Sequence, residues 1–289
     1  MNGKAQKNKK TKKRLGSHLG GVQILIASPG FTLHPCLWEN NSTLKKKKRL
    51  DMLVLERGLA ETRQRAAALV LSGAVYVNGA PATKAGEPVD ESASIEVHGG
   101  LQYASRGALK LEGAAKNLDV SFEGKTVMDV GASTGGFTDF MLRMGARRVY
   151  AVDVGYGQLY YKLREDPRVV LLEKTNIRHL ERSAIPEEID LATIDVSFIS
   201  LRLVLPKVIE FLKKDGEILA LVKPQFEVGR GEVEKGGVVR DEAKRKTAVQ
   251  SVIAAAGALV LSTLGQYECT VRGQKKGNIE YFVYMRKGF

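Results

Sequence analysis

The 289-residue sequence predicts an α/β protein in two parts, a small α+β unit followed by a larger doubly wound sheet. Three observations predict it. From Lys125 onward, short β-rich apolar runs alternate with helical stretches, the pattern of strands joined by crossover helices. The first of these runs ends in a glycine-rich strand-to-helix turn, Gly131-Ala132-Ser133-Thr134-Gly135-Gly136. Ahead of them, two short helical patterns and two strand-like runs close at Gly99-Gly100.

Composition narrows the class. A hydrophobic content of 44% with 27% charged residues is that of a globular chain, which excludes wholesale disorder. Of the net charge of +13, residues 1–50 carry +11, so the folded body is nearly neutral. Polyanion binding must come from local patches or from the tail. The longest apolar stretch, Val252 to Leu261, contains Gly257 and falls short of the roughly 18 residues that cross a bilayer, so no membrane insertion is expected. Cys36 and Cys269 are too few for a disulfide framework or a four-thiolate zinc site. A reducing, cytoplasmic setting and no metal site are expected.

Residues 1–44 open with a lysine run from Lys4 to Arg14 and show no sustained periodicity, as expected of a disordered basic extension. A mis-assigned start is the other expectation, because Leu44 directly precedes Lys45-Lys46-Lys47-Lys48 and a leucine codon can initiate in bacteria. The run Val22 to Ala27 is too short for a secretory signal. From Leu50 the apolar residues fall at helical spacing up to Gly58, and a second helix is predicted from about Glu61 to Ser72, with Gly73 as its cap. Val75-Tyr76-Val77-Asn78-Gly79 predicts a strand entering a tight turn, and Ser94 to Val97 another strand. This segment, RLDMLVLERGLAETRQRAAALVLSGAVYVNG, resembles the RNA-binding domain of ribosomal protein S4. The resemblance implies an S4-like RNA-binding domain over 45–98, with Arg49, Arg63 and Arg65 meeting phosphates. Residues 99–104 are then a linker and 105–289 the second domain, whose Arg106 is a further RNA candidate.

In the second domain, Thr126–Val130, Val149–Val154, Val169–Glu173, Leu191–Asp195 and Ile218–Val222 are predicted as strands of a parallel sheet, which binds ligands at its carboxyl edge. The dinucleotide fingerprint fails, because Ser133 stands where its second glycine belongs. Asp153 follows Gly131 by 22 positions and can accept both hydroxyls of a ribose. A glycine loop with a ribose-binding acid points to a nucleoside-containing cofactor. The run from Asp129 through Phe137 resembles the S-adenosylmethionine loop of Rossmann-like class I methyltransferases. That resemblance assigns Asp129, Gly131, Ala132, Ser133, Gly135, Gly136, Phe137 and Asp153 to the cofactor site. Because all of these lie in the second domain, cofactor binding is expected to be independent of the first.

The residues at the end of the fourth strand bear on the acceptor. Ile194-Asp195-Val196-Ser197-Phe198 lacks the two prolines common in amino-directed enzymes, and neither cysteine stands at a strand end as a carbon-directed nucleophile. Oxygen is the favoured acceptor. A ribose hydroxyl is a poor acid, so its base would be a lysine made partly neutral by its surroundings, with carboxylates positioning the set. Lys110, Asp195, Lys223 and Glu280 stand at suitable places, and their order resembles the catalytic tetrad of FtsJ-type RNA ribose 2′-O-methyltransferases.

Residues 45–287 together resemble the TlyA-type family, proteins also labelled hemolysins that join an S4-like domain to an FtsJ-like methyltransferase. The matching text includes YASRGALKLEGA, DVGASTGGFTDFML, AVDVGYGQL, IDVSFISL, LVKPQFEVGR and GNIEYFVY. Membership implies S-adenosylmethionine-dependent 2′-O-methylation of cytidine in ribosomal RNA, with ribosomal RNA or ribosomal subunits as partners. Two other readings compete: a membrane-active hemolysin, for which no spanning or strongly amphipathic segment is found, and an RNA-binding assembly factor without catalysis, against which the intact Lys-Asp-Lys-Glu set argues.

Overall fold

The structure, a computed structural model, describes residues 46–71, 73–82, 84–98, 103–271 and 277–288. The basic extension or mis-assigned start expected over 1–44 lies outside the described residues, as does Cys36.

The small domain opens with β1 (Lys47–Arg49) and α1 (Leu50–Glu56), followed by α2 (Arg63–Leu71). Thr62 Oγ1 accepts the backbone N–H of Arg65 and starts α2 there, two residues later than the apolar pattern alone suggests. Strands β2 (Val75–Val77), β3 (Ala80–Pro81), β4 (Pro88–Asp90) and β5 (Ile95–Val97) complete the unit. They form a three-stranded sheet ordered β3-β2-β5 and a separate β1-β4 pair. Asn78 and Gly79 have φ of 51° and 79°, the left-handed pair that a two-residue hairpin requires. Leu50, Leu53, Val54, Ala66, Leu69, Val70 and Val75 bury their side chains together as a core of this domain's own.

The larger domain contains α3 (Gly107–Leu118), β6 (Thr126–Val130), α4 (Gly136–Arg143), β7 (Arg148–Val152), α5 (Tyr161–Arg164), β8 (Val169–Leu172) and β9 (Ile189–Ile194). It continues with α6 (Leu205–Ile209), β10 (Leu212–Val222), α7 (Pro224–Glu227), α8 (Glu242–Gly257), β11 (Leu261–Glu268) and β12 (Tyr281–Lys287). Its seven strands are ordered β11-β12-β10-β9-β6-β7-β8. The predicted parallel sheet is present in β10, β9, β6, β7 and β8, but β12 runs antiparallel to both its neighbours. Strand β10 is longer than predicted and carries a register irregularity between Leu212 and Glu217.

Alternation along the strands fills both faces. Val127, Val149, Ala151, Leu191, Leu219 and Leu221 pack with α3 and α4, while Met128, Tyr150, Val152, Ala192, Ile194 and Val222 pack with α6 and α8. Tyr103 and Ala104, expected in the linker, are buried in the first of these cores. The aromatic ring of Tyr103 packs edge-on to Phe140, and Ala104 N donates to Asp139 Oδ2 at 2.7 Å, so the larger domain begins before Ser105. The chain winds β6, β7, β8 in one direction and returns to β9 on the other side of β6. That reversal puts the ends of β6 and β9 at the switch point where such sheets bind ligands.

Candidate active site

At the carboxyl end of β6 the backbone turns at Gly131, whose φ is +89°. A Cβ there would stand 2.5 Å from the backbone oxygen of Asp195. Only glycine lets the first loop pass this close to the residue that follows β9. Ser133 adopts a left-handed φ of 50°, which aims its N–H at Asp153 Oδ2, 2.8 Å away. Gly155 N donates to the other carboxylate oxygen, Oδ1, at 2.6 Å. Two backbone amides thus fix the Asp153 carboxylate, and each oxygen keeps a lone pair for a further donor. Beside it lies an open cavity of about 1000 Å³. Gly131, Ser133, Asp153, Gln158, Asn176 and Ile177 line one part, and Asp195, Ser197, Phe198, Gln225 and Phe226 another. The donor set and the close-packed glycine turn fit a nucleoside cofactor, and the volume leaves room for a second nucleoside.

The side chains of some residues expected to touch the cofactor pack away from the cavity. Asp129 is fully buried on the α4 side of the sheet, accepting from Thr138 Oγ1 at 2.7 Å and Thr193 Oγ1 at 3.1 Å. Phe137 is buried in the core, tilted against Phe282 with ring centroids 6.0 Å apart. Gly136 brings α4 against α3, since a Cβ would lie 3.1 Å from Ala108 N. Gly135, φ +92°, faces Leu159 and Leu163, and Ala132 is 5% exposed between them and the sheet. Of the loop, Gly131 and Ser133 line the cavity.

Burial pushes the Asp129 carboxyl up from 3.8 to about 7, against the opposing effect of the two threonine hydroxyls. The unfolded chain releases this proton near 3.8 while the folded chain holds it to about 7. Its contribution to stability is therefore full at low pH and is lost as pH rises through that window. Asp129→Asn is expected to remove this loss. Thermal unfolding should show the variant gaining on the parent between about pH 4 and pH 7. A difference that stays flat over that range would mean Asp129 ionises normally.

The four catalytic candidates form two ion pairs. Lys110, on α3, has Nζ 2.6 Å from Glu280 Oε2, with side chains 12% and 5% exposed. Lys223, directly after β10, has Nζ 2.5 Å from Asp195 Oδ1 and donates to Ser197 Oγ at 3.0 Å. The Asp195 contact is an ion pair without hydrogen-bond geometry, as Oδ1 is buried and has no directional partner. Each lysine thus faces a carboxylate. Cys269 ties the two pairs together: its N–H donates to Glu280 O at 2.8 Å, and its thiol feels the charges of Lys110, Glu280 and Asp195. Burial pushes that thiol up to about 12, so Cys269 is no nucleophile.

Several site residues escape the sequence reading. Phe198 is 82% exposed at φ +64°, with its ring centroid 5.1 Å from that of Phe226. Glu227 is buried and holds this loop, accepting from Ser200 Oγ at 2.6 Å and Leu201 N at 2.8 Å. Burial raises its carboxyl above the usual range. Gln225 Oε1 is buried beside the cavity without a hydrogen-bond partner. The available signal is position: all follow the ends of β9 and β10, where an α/β sheet places its ligands.

The arginines expected at RNA divide into two groups. Arg49 and Arg63 both grip the buried Asp51, at 2.8 Å and 3.1 Å, yet remain 51% and 55% exposed. The Arg49 hydrogen bond comes first among the causes that hold the Asp51 carboxyl below its usual range. Arg65 and Arg106 instead join the domains. Arg65 Nη1 donates to Tyr103 O at 2.9 Å with its guanidinium over the Tyr160 ring, and Arg106 Nη1 donates to Leu71 O at 2.9 Å. A helical pattern tells which face is polar and not which neighbour meets it.

Among the described residues no helix is long and apolar enough to cross a membrane. Residues 48–95 match the S4 domain, and residues 103–287 match the FtsJ-like methyltransferase family. The 16S/23S rRNA (cytidine-2′-O)-methyltransferase TlyA of Mycobacterium tuberculosis is 44% identical over 245 residues, 84% of this chain and 91% of the relative. Hemolysin A of Brachyspira hyodysenteriae is 39% identical over 237 residues, 82% of this chain and 98% of the relative. A solved Streptococcus thermophilus protein whose name carries the word hemolysin superposes with a TM-score of 0.67 at 42% identity, over 84% of this chain and 90% of that one. With the glycine-loop cavity, the two lysine–carboxylate pairs and matches of this extent, the chain belongs to the FtsJ-like methyltransferase family and carries an S4 domain ahead of the catalytic fold.

Proposed function

We propose that this chain transfers the methyl group of S-adenosylmethionine to the ribose 2′-hydroxyl of a cytidine in ribosomal RNA, acting on ribosomal RNA or subunits in the cytoplasm. The observation that carries this reading is the double ion pair, Lys110–Glu280 and Lys223–Asp195, of which Asp195 lines a cavity that also holds the fixed carboxylate of Asp153. Asp153 would hold the ribose hydroxyls of the cofactor, and Gly131 lets the loop lie against the end of β9. When bound, S-adenosylmethionine supplies a methyl group on a sulfonium, whose departure needs no acid. The chain's task is to orient an acceptor oxygen and remove its proton. Lys223, anchored by Asp195 and Ser197, is the group placed to take that proton. Lys110 and Glu280, paired with each other, would help position the set. Phe198 and Phe226 offer an aromatic surface against which an unstacked base can lie. Arg49 and Arg63 keep exposed N–H groups for phosphates.

Transfer of label from methyl-labelled S-adenosylmethionine to ribosomal RNA, followed by mapping of the modified nucleotide, tests the reading. A cytidine 2′-O-methyl group is the expected product. Label on a base, or lysis of membranes with no transfer, would sink it, the latter in favour of the activity that the name of the Brachyspira relative suggests. Asp153→Ala removes two ribose acceptors and orphans the N–H groups of Ser133 and Gly155. Calorimetry should show S-adenosylhomocysteine binding weakened by roughly ten- to a hundredfold; unchanged binding would show that the carboxylate does not meet the cofactor.

A further inference from the structure

The rim of the cofactor cavity belongs to the larger domain and is contacted from outside by the smaller one. Residues 155–163 follow Asp153 and form that rim. Gln158 lines the cavity, Tyr160 N donates to Thr134 O of the glycine loop at 3.2 Å, and Leu159 lies 2.8 Å from where a Cβ on Gly135 would be. The same segment is gripped from outside by Glu61, just ahead of α2, and by the first turn of that helix. Glu61 accepts from Tyr161 OH at 2.8 Å and Tyr160 OH at 3.1 Å, and pairs with Lys162 Nζ at 3.2 Å. Gln64 Nε2 donates to Gly157 O at 2.6 Å, and the Arg65 guanidinium stands 5.3 Å from the Tyr160 ring centroid.

The Glu61–Lys162 pair is exposed and would be worth little by itself. Its setting gives it leverage, because Glu61 and the first turn of α2 make several contacts to a single nine-residue segment whose inner side touches the glycine loop. We propose that Glu61 and Gln64 are positioning residues for the cofactor: the start of α2 and the residue just ahead of it hold the 155–163 segment against the glycine loop, so that docking of the RNA-binding domain and occupancy of the cavity are linked. The inference rests on the reading of the cavity as the S-adenosylmethionine site. It runs against the expectation that cofactor binding is independent of the small domain. Linkage also makes the effect reciprocal, since whatever factor RNA engagement applies to cofactor affinity, the cofactor applies to RNA affinity.

The test uses the full chain, S-adenosylhomocysteine and calorimetry, first without RNA. Glu61→Arg faces Lys162 with a like charge and leaves both tyrosine hydroxyls without their acceptor. It is expected to weaken S-adenosylhomocysteine binding on the order of 5- to 10-fold, with Gln64→Ala moving in the same direction. Glu61→Gln keeps an acceptor and should largely restore binding, which a general loss of folding would not allow. In the second arm, S-adenosylhomocysteine should tighten the binding of deproteinised ribosomal RNA to the parent chain, and this gain should vanish in Glu61→Arg. Equal S-adenosylhomocysteine affinity in the parent and Glu61→Arg would overturn the inference and leave the cavity reading intact. No uptake by the parent itself would overturn the cavity reading and the inference with it.

Discussion

Replacing Lys223 by methionine should slow methyl transfer by about 10² to 10⁴ while leaving S-adenosylhomocysteine and RNA affinity nearly unchanged. The reason lies in where its amine is held. Nζ stands at the end of β10, between Asp195 Oδ1 at 2.5 Å and Ser197 Oγ at 3.0 Å, on a side chain that is 10% exposed. Asp195 and Ser197 both line the cavity, so the amine is presented to whatever oxygen enters there. Methionine keeps the apolar stem and removes the amine placed to take the proton, so the loss belongs to the transition state. Lys223→Arg separates two roles. A guanidinium can hold Asp195 but cannot act as the base, so the arginine variant should be as slow as methionine. An active arginine variant, in a single-turnover assay with labelled cofactor, would make Lys223 an electrostatic clamp and leave the proton to water.

The parts of this site that could be read in the sequence are those fixed by one strand and the turn after it. Asp153, Asp195 and Lys223 each follow an apolar run, and the sheet delivers all three to one edge. Glu280 is the instructive case, since a one-residue slip in a strand reverses a side chain. It precedes β12 by one position and turns to Lys110, 170 residues away. A motif copied along the chain fares worse, because it ignores the pleat. Asp129 stands inside the glycine-loop text, but alternation turns it to Thr138 on α4 rather than to the cavity. Gly136 and Phe137 likewise belong to the packing of α4 against α3 and β12. What no local pattern holds is the neighbour across a domain boundary. Glu61 and Arg65 read as ordinary residues of a polar helix turn, and only the folded chain sets Tyr160 and Lys162 beside them.

Gly131→Ala tests the close approach on which the whole edge depends. Two costs arise together. A side chain at φ +89° is strained by about 1 to 3 kcal/mol. The new Cβ would also stand 2.5 Å from Asp195 O and 3.0 Å from Asp195 C, which are backbone atoms with no flexible end to swing away. Either the glycine loop or the Asp195 backbone must shift. If the loop moves, Ser133 leaves Asp153 and the cofactor site opens. If Asp195 moves, its pairing with Lys223 is lost. Both outcomes lower the rate, and a displacement near 1 Å at a reacting centre costs about 10²-fold. Gly124→Ala supplies the control, because Gly124 has a similar φ of +68° with nothing within 4 Å of its Cβ position. Both variants should lose thermal stability from backbone strain, Gly131→Ala more because of the added clash, with Gly131→Ala alone losing methyl transfer. Equal activity in the two would show that the edge tolerates a methyl group between β6 and β9, and that the contact between Gly131 and Asp195 does not set the geometry of the site.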